Sequence, residues 1–157
     1  KILEPNSWNW SDWLPFWTED RAEEYIFEEN YLDFFGPECP PMDSSVEDWN
    51  KLRAWATENG HQLILVSAQR EHCEEPTTEW LQRWGFVGWD EMYYTKNKHL
   101  IDVDILIDDS PEKLKKFTNE SVNNGKAICM NQSWNKNCED SSMSIDRLSD
   151  IIDKVFG

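Results

Sequence analysis

The sequence has little positive charge and lacks long apolar runs. Lys and Arg together number 15 against 31 Asp and Glu in 157 residues, so the formal net charge is −16. Nucleic acids and anionic membranes normally attract basic patches, and this composition argues against both partners. No stretch approaches the roughly 18 apolar residues of a membrane helix, and no signal-like segment opens the chain. The sequence therefore predicts neither a nucleic-acid partner nor a membrane partner.

Cysteine and glycine are also scarce, and neither forms a known motif. No two of the four cysteines are spaced as C-x-x-C, so we expect reduced thiols and a cytoplasmic protein. The six glycines form neither G-x-G-x-x-G nor G-x-x-x-x-G-K, which excludes the usual phosphate-binding loops. The three histidines show no metal-ligand spacing.

Aromatic residues are abundant and are concentrated near the N terminus. Five of them lie within ten positions: Trp8, Trp10, Trp13, Phe16 and Trp17. They form either a core-facing stripe or a stacking surface for a flat ligand. An acidic stretch at 19–29 predicts a helix, and prolines 37, 40 and 41 interrupt regular structure. We interpret residues 1–43 as a helical, acidic, Trp-rich segment and residues 44–157 as the main domain.

In the main domain, helices alternate with short apolar runs. We predict helices from Ser44 or Ser45 to 59 and at 76–84, 111–123 and 144–156, and strands at 62–67, 92–95, 104–108 and 127–130. Continuous apolar strands between helices are typical of a parallel sheet covered on both faces. Ligands of such folds bind beyond the carboxyl ends of the strands, so the residues that end each run are the candidate site residues.

Asp108 and Asp109 are the strongest of these candidates. Two adjacent carboxylates after a buried strand repel each other, and a divalent cation relieves that repulsion. Oxygen ligands suit Mg²⁺. The alternative is structural: Asp109 or Ser110, just before Pro111, is well placed to cap the next helix.

Ser67 ends another apolar run, and Lys96 and Lys98 follow the run that contains Tyr93 and Tyr94. A strand-end hydroxyl beside backbone N–H groups can hold a phosphoryl oxygen, or it can simply begin a loop. A lysine at the same edge can neutralise phosphate charge, or it can be a solvated surface residue.

The order of these features resembles the haloacid dehalogenase-like phosphatases, whose second, third and fourth motifs are a strand-end hydroxyl, a lysine and an Asp-Asp pair. Within that superfamily, the chain between 44 and 136 resembles the 5′(3′)-deoxyribonucleotidase family. The matching segments are 62–68 (QLILVSA), 78–86 (TEWLQRWGF), 98–111 (KHLIDVDILIDDSP) and 132–136 (QSWNK).

The resemblance implies a Rossmann-like α/β core with helices on both faces and a small helical N-terminal cap. It implies that Ser67 hydrogen-bonds the transferring phosphoryl group and that Lys98, with Lys96 as the alternative, stabilises its charge. Asp108 and Asp109 would hold Mg²⁺. The implied substrate-binding residues are Ala68, Gln69, Arg70 and Trp17, with the cap aromatics packing on a nucleobase. Relatives often carry arginine where this chain has Gln69, and Arg70 is the candidate substitute.

One family feature is not found in the expected place. The family's nucleophile is the first Asp of a D-x-D motif on the first, central strand near the N terminus. Asp12, within Trp-Ser-Asp-Trp, follows no apolar strand, and the chain opens with Lys1. We therefore expect the first core strand and the nucleophile to lie upstream of Lys1, and we expect the chain as printed to be inactive.

The favoured function is a Mg²⁺-dependent phosphomonoesterase that hydrolyses (deoxy)nucleoside monophosphates through an aspartyl-phosphate. A homodimer is compatible with this interpretation. Two alternatives stay open. One is a related phosphatase for another phosphomonoester, such as a sugar phosphate or a nucleic-acid 3′-phosphate. The other is a nucleotide-binding module without catalytic activity.

Overall fold

The computed structural model describes residues 9, 12, 16–135, 138 and 141–157, with the backbone alone at residue 71. These residues form a mixed α/β fold with parallel sheets and helices on both sides, which confirms the predicted fold class. They divide into two compact units. The 97–146 unit consists of Asn97–Asp146 and the described residues up to Glu28, and the 29–96 unit consists of Glu29–Lys96 and Arg147–Gly157. The predicted boundary at residue 43 stays a prediction.

The elements follow the predicted alternation closely. The helices are α1 (Glu19–Glu24), α2 (Tyr31–Phe35), α3 (Ser45–Asn59), α4 (Glu74–Arg83), α5 (Pro111–Glu120) and α6 (Asp150–Val155), and a π-helical turn (Tyr25–Glu29) follows α1. The strands are β1 (Ile64–Ser67), β2 (Glu91–Tyr94), β3 (Ile105–Asp108), β4 (Lys126–Met130) and β5 (Met143–Ile145). The short 3₁₀ turns are Glu71–Cys73 and Lys98–Leu100. None of the helices in this described part of the chain has the length and apolar character needed to cross a bilayer.

The 97–146 unit contains a parallel sheet with the strand order β3-β4-β5. Asp108 at the end of β3 pairs in register with Cys129 of β4. Helix α5 packs on this sheet through Leu114 and Phe117, which are both 0 % exposed. The apolar core therefore lies directly beneath the end of β3.

Helix α5 begins immediately after the Asp-Asp pair. Ser110 is its N-cap: the hydroxyl oxygen accepts a hydrogen bond from the Lys113 N–H at 3.5 Å, and Pro111 occupies the first turn. Pro is tolerated there because the first-turn amides have no partner within the helix. The predicted cap is thus confirmed at Ser110 rather than at Asp109.

The 29–96 unit contains a two-stranded parallel sheet in which Ser67 of β1 pairs with Tyr94 of β2. Helix α3 follows Ser44, whose φ is 65° and whose side chain caps none of the first-turn amides in the described structure. The Ser45 hydroxyl instead donates to the Met42 carbonyl at 2.7 Å. The helix predicted from Ser44 or Ser45 is thus confirmed at Ser45–Asn59, and it begins without a serine side-chain cap because the left-handed backbone at Ser44 replaces the usual extended cap geometry.

An ion pair between a half-exposed arginine and a buried carboxylate joins α3 to the C-terminal segment of the same unit. Asp48 is 3 % exposed. It accepts hydrogen bonds from Arg147 at 2.6–3.1 Å and from the Ser149 hydroxyl at 3.0 Å. These bonds lower the pKa of Asp48, the Arg147 bond being the largest cause. The C-terminal segment is thus held to α3 by a charged, hydrogen-bonded anchor.

The predicted helix at 144–156 is only partly correct. Ser144 belongs to β5, which pairs with β4, and the helix α6 starts at Asp150. The side chains of Met143–Ile145 alternate between partial burial, exposure and burial, as expected of a strand at the edge of a sheet. The sheet pairing therefore overrides the helical reading of this segment.

Candidate active site

The Asp108 carboxylate is fixed by partners on both of its oxygens. The Lys98 ammonium donates to Oδ2 at 2.5 Å, and the Ser110 N–H donates to Oδ1 at 2.9 Å. The Lys98 and Asp108 side chains are 14 % and 4 % exposed, respectively. A buried carboxylate needs such partners because water does not stabilise its charge. Lys98 and Asp108 thus form a rigid, mostly buried charge pair.

Lys98 reaches this position because it opens the 3₁₀ turn Lys98–Leu100, shortly before β3. The alternative candidate, Lys96, is exposed and belongs to the 29–96 unit. The structure therefore brings Lys98 to the Asp-Asp pair, as the preferred prediction proposed.

Asp109 is half-buried, and its carboxylate lies beside the negatively charged Asp108. Burial raises the pKa of Asp109 and the adjacent Asp108 raises it further, while Lys98 and the Trp134 indole lower it. Nε1 of Trp134 is among the buried polar atoms of the described structure that lack a hydrogen bond of normal geometry. The indole therefore lowers the pKa of Asp109 as a nearby N–H dipole. Two carboxylates and a single ammonium leave a local charge suited to a cation.

This donor set fits Mg²⁺. Within the described part of the chain, no cluster of three or more His, Cys, Asp or Glu side chains is present. The protein would thus contribute Asp108 and Asp109, and water and substrate phosphate would complete the coordination. Mg²⁺ is commonly bound by one or two carboxylates together with phosphate and water.

Asn135 was not among the predicted site residues, although it lies next to the Asp-Asp pair. It is 3 % exposed, and its Nδ2 donates to the Asp109 carbonyl at 2.8 Å and to the Met130 carbonyl at 2.7 Å. Its Oδ1 accepts from the Gln132 N–H at 2.7 Å. Its signal in the sequence is the Trp-Asn pair of the segment 132–136, which was used for the resemblance and not for a role.

Ser67 lies at the carboxyl end of β1 in the 29–96 unit. Its Oγ accepts from the Gln69 N–H at 3.2 Å, and its carbonyl accepts from the Thr95 N–H at 2.8 Å. Because Oγ is the acceptor in the first bond, the hydroxyl can still donate its own proton to a phosphoryl oxygen. The strand-end geometry is therefore compatible with the role predicted for Ser67.

The residues that follow Ser67 form a half-buried segment without regular secondary structure. Ala68, Gln69 and Arg70 are all partly exposed. The side-chain oxygen of Gln69 accepts a hydrogen bond from the Thr77 hydroxyl, which directs this side chain toward α4. Gln69 therefore offers mainly its amide nitrogen to a ligand.

Trp17, the predicted base-stacking residue, is half-buried in the 97–146 unit and packs on its own helical neighbours. The Arg21 guanidinium lies 5.5 Å from the ring centroid, and Tyr25 packs edge-to-face against the ring at 4.7 Å. Phe16 is 96 % exposed, and the predicted aromatics at 8, 10 and 13 lie outside the described residues. Stacking by Trp17 on a base stays a prediction.

The one Asp-x-Asp in the printed sequence, Asp102-Val-Asp104, lies at the opposite end of β3 from Asp108. Both of its aspartates are exposed, and the Asp104 carbonyl accepts from the Lys126 N–H at 2.8 Å. Four strand residues extend over about 13 Å, which separates this motif from the Asp-Asp pair. The position of this motif does not suit a nucleophile that acts beside Asp108.

Apart from Trp17 and Lys96, the predicted residues thus form two groups. Lys98, Asp108 and Asp109 meet in the 97–146 unit, and Ser67, Ala68, Gln69 and Arg70 adjoin one another at the end of β1 in the 29–96 unit. Among known protein families, the family model described as "5′ nucleotidase, deoxy (Pyrimidine), cytosolic type C protein" matches residues 3–155. No curated protein and no solved structure matches the chain.

Proposed function

Because the chain belongs to the cytosolic type C deoxy-pyrimidine 5′-nucleotidase family, a haloacid dehalogenase-like family, we propose that it is a Mg²⁺-dependent phosphomonoesterase of (deoxy)nucleoside monophosphates. The membership itself implies a nucleotidase or phosphatase with a small phosphomonoester substrate. The observation that carries the finer proposal is the cluster of Lys98, Asp108 and Asp109 at the end of β3. We place the activity in the cytosol, as the family description does.

In this proposal, Asp108 and Asp109 hold Mg²⁺, which supplies positive charge to the substrate phosphate. Lys98 supplies a second positive charge from the protein itself. Its ammonium is already held in place by Asp108, so it meets the phosphoryl group without reorganising. Ser67 donates its hydroxyl proton to a phosphoryl oxygen. Phosphoryl transfer depends chiefly on such positioning and charge stabilisation.

We propose that the nucleophilic aspartate lies outside Lys1–Gly157. The support is the location of Asp102 and Asp104, which precede β3 and therefore lie at the end opposite its carboxyl end. A phosphoryl group held by Lys98 and the Asp-Asp pair is out of reach of that motif. In this proposal, hydrolysis through an aspartyl-phosphate requires a longer chain that also contains that aspartate.

The test is phosphate release from deoxynucleoside monophosphates by that longer chain with Mg²⁺. We expect Asp108→Asn to lower kcat/KM by at least about 100-fold, because it removes a charge that binds the metal and orients Lys98. Asp104→Asn is the matched control, with the same chemical change at an exposed position just before the same strand. We expect it to stay within about twofold of wild type.

Retained activity in Asp108→Asn would contradict the assignment. A rate on a sugar phosphate or a 3′-phosphorylated oligonucleotide that exceeds the rate on mononucleotides would redirect it to another phosphomonoester. The non-catalytic alternative has its own support, because the Asp-x-Asp of the printed sequence is misplaced for catalysis. Calorimetry that shows Mg²⁺-dependent nucleotide binding by a longer chain that releases no phosphate would favour that alternative.

A further inference from the structure

The Asn135 side chain matches its surroundings in a way that few side chains can reproduce. A carboxamide has two N–H donors on one atom and an acceptor on the other. Here both donors meet carbonyl groups, those of Asp109 and Met130, and the acceptor meets the Gln132 N–H. The reverse orientation of the amide would place its oxygen against two carbonyl oxygens, so this network defines the orientation.

The bond from Asn135 acts on the peptide group between Asp109 and Ser110. That peptide is trans and planar, so its carbonyl and its N–H point in opposite directions. The carbonyl is held by Asn135 at 2.8 Å, and the N–H donates to Oδ1 of Asp108 at 2.9 Å. Because one rigid plane carries both groups, holding the carbonyl also aims the N–H at the Asp108 carboxylate.

We propose that Asn135 is a positioning residue for the Asp108–Asp109 pair. It fixes the peptide plane that orients the Asp108 carboxylate, and through that carboxylate it orients Lys98. It also ties this plane to Met130 at the end of β4, the strand that neighbours β3. The inference rests on the proposed function, in which the carboxylate pair must present a defined geometry to Mg²⁺.

Two substitutions separate this role from simple closure of the loop at 131–135. Asn135→Ala removes all of the side-chain bonds. Asn135→Asp keeps an oxygen for the Gln132 N–H but has no donor for the carbonyls of Asp109 and Met130. If Asn135 served only to close its own loop, either variant would loosen that loop without making the Ser110 amide exchange faster than the rest of the unit. The proposed role requires both variants to fail.

The matched control is Ser142→Ala. The Ser142 hydroxyl donates to the Ala127 carbonyl at 2.8 Å, so this variant also removes a loop-to-β4 hydrogen bond in the same unit. It does so near the start of β4, away from the carboxylate pair. Any effect on amide exchange or Mg²⁺ affinity that comes merely from losing a loop hydrogen bond therefore appears in the control as well.

The first measurement is residue-resolved hydrogen exchange by NMR, with the Ser110 amide compared with the Cys129 amide of β4. We expect exchange at Ser110 to accelerate at least about tenfold more than at Cys129 in both Asn135 variants, because local release of the peptide plane exceeds any global loss of stability. In Ser142→Ala, the two amides should change together. The second measurement is Mg²⁺ affinity by calorimetry, which we expect to weaken at least about tenfold in both Asn135 variants and less than about twofold in the control.

The proposal is overturned if Ser110 and Cys129 accelerate equally in the Asn135 variants, which would indicate a purely structural residue. It is also overturned if Asn135→Asp exchanges and binds Mg²⁺ like wild type. Failure of the wild-type protein to bind Mg²⁺ would instead contradict the proposed function. In that case, the exchange rate of the Ser110 amide in the Asn135 variants still decides whether Asn135 fixes the peptide plane between Asp109 and Ser110.

Discussion

Gly125 is a residue whose replacement should test the packing of the sheet beneath the site. A Cβ at this position would lie 2.6 Å from the Val103 carbonyl oxygen, 2.8 Å from Cζ of Phe117 and 2.9 Å from the Asp104 carbonyl oxygen. Two of the three neighbours are backbone atoms, which cannot rotate away. Gly125→Ala must therefore move the start of β4 away from the chain that leads into β3.

The expected magnitude follows from these contacts. Overpacking typically costs about 1–3 kcal/mol. The shift also strains the hydrogen bond from the Lys126 N–H to the Asp104 carbonyl, now 2.8 Å long, which contributes about 1 kcal/mol. The lower entropy of the unfolded alanine chain offsets about 1 kcal/mol of this. We expect a net loss of about 2 kcal/mol in the free energy of unfolding, or a fall in Tm of about 4–8 °C for a chain of this size.

The assay is urea denaturation at 25 °C, with Asn124→Ala as the control in the same turn. Asn124 is exposed and has a φ of 56°, so its replacement by alanine costs only the conformational preference, about 1 kcal/mol or less. A loss in Gly125→Ala no greater than that in Asn124→Ala would refute the argument from close approach. A loss of 3 kcal/mol or more, with an altered m-value, would show that the backbone cannot yield and that the unit partly unfolds.

Two further predictions concern titrating groups. Hydrogen bonds from Arg147 lower the pKa of Asp48 in the folded state, so the unfolded state binds the proton at higher pH. The stabilisation that Asp48 contributes is therefore fully present above the ordinary aspartate pKa of about 4, and it is lost as the pH falls through the lower pKa of the folded state. Urea titrations between pH 6 and 2 should show that the free energy of unfolding falls with pH in wild type and falls less in Asp48→Asn. Identical pH dependence in the two proteins would contradict this prediction. Burial, together with the neighbouring Cys138 thiol, raises the pKa of Cys129 to about 12. The reactive thiolate form of Cys129 is therefore scarce at pH 8, so iodoacetamide should label the partly exposed Cys39 well before Cys129 in the native protein. Mass spectrometry of timed samples can show this order, and equal rates would refute the burial.

The sequence predicted the elements that sit on continuous apolar runs and missed those that depend on pairing. Residues 104–108 predict β3 because an apolar run ends at two carboxylates, and Ser110 with Pro111 predicts the start of α5. The sequence predicts the start of a helix where the structure has β5, because this strand has three residues and, among the residues that the structure describes, pairs with β4 alone. A segment this short carries too little periodicity to distinguish a strand from a helix.

The sequence predicts which residues belong to the candidate site, but it does not predict the contacts between them. Strand-end position identified Asp108, Asp109 and Lys98, and the structure brings these three together. The direct bond between Lys98 and Asp108 depends on the 3₁₀ turn before β3, which has no clear local signature. The role of Asn135 is even harder to predict from the sequence, because its side chain donates to main-chain carbonyls, which every residue possesses.

The charge pair of Lys98 and Asp108 has a consequence for the order of events in folding. Its members are only ten residues apart, so closing the intervening loop costs little chain entropy. Contacts this local form early, whereas the parallel pairing of β3 with β4 must bridge a whole helix and is intrinsically slow. We therefore expect the lysine and the carboxylate to be near each other in the chain before β3 acquires its neighbours, so that little further chain entropy is lost when the sheet buries them.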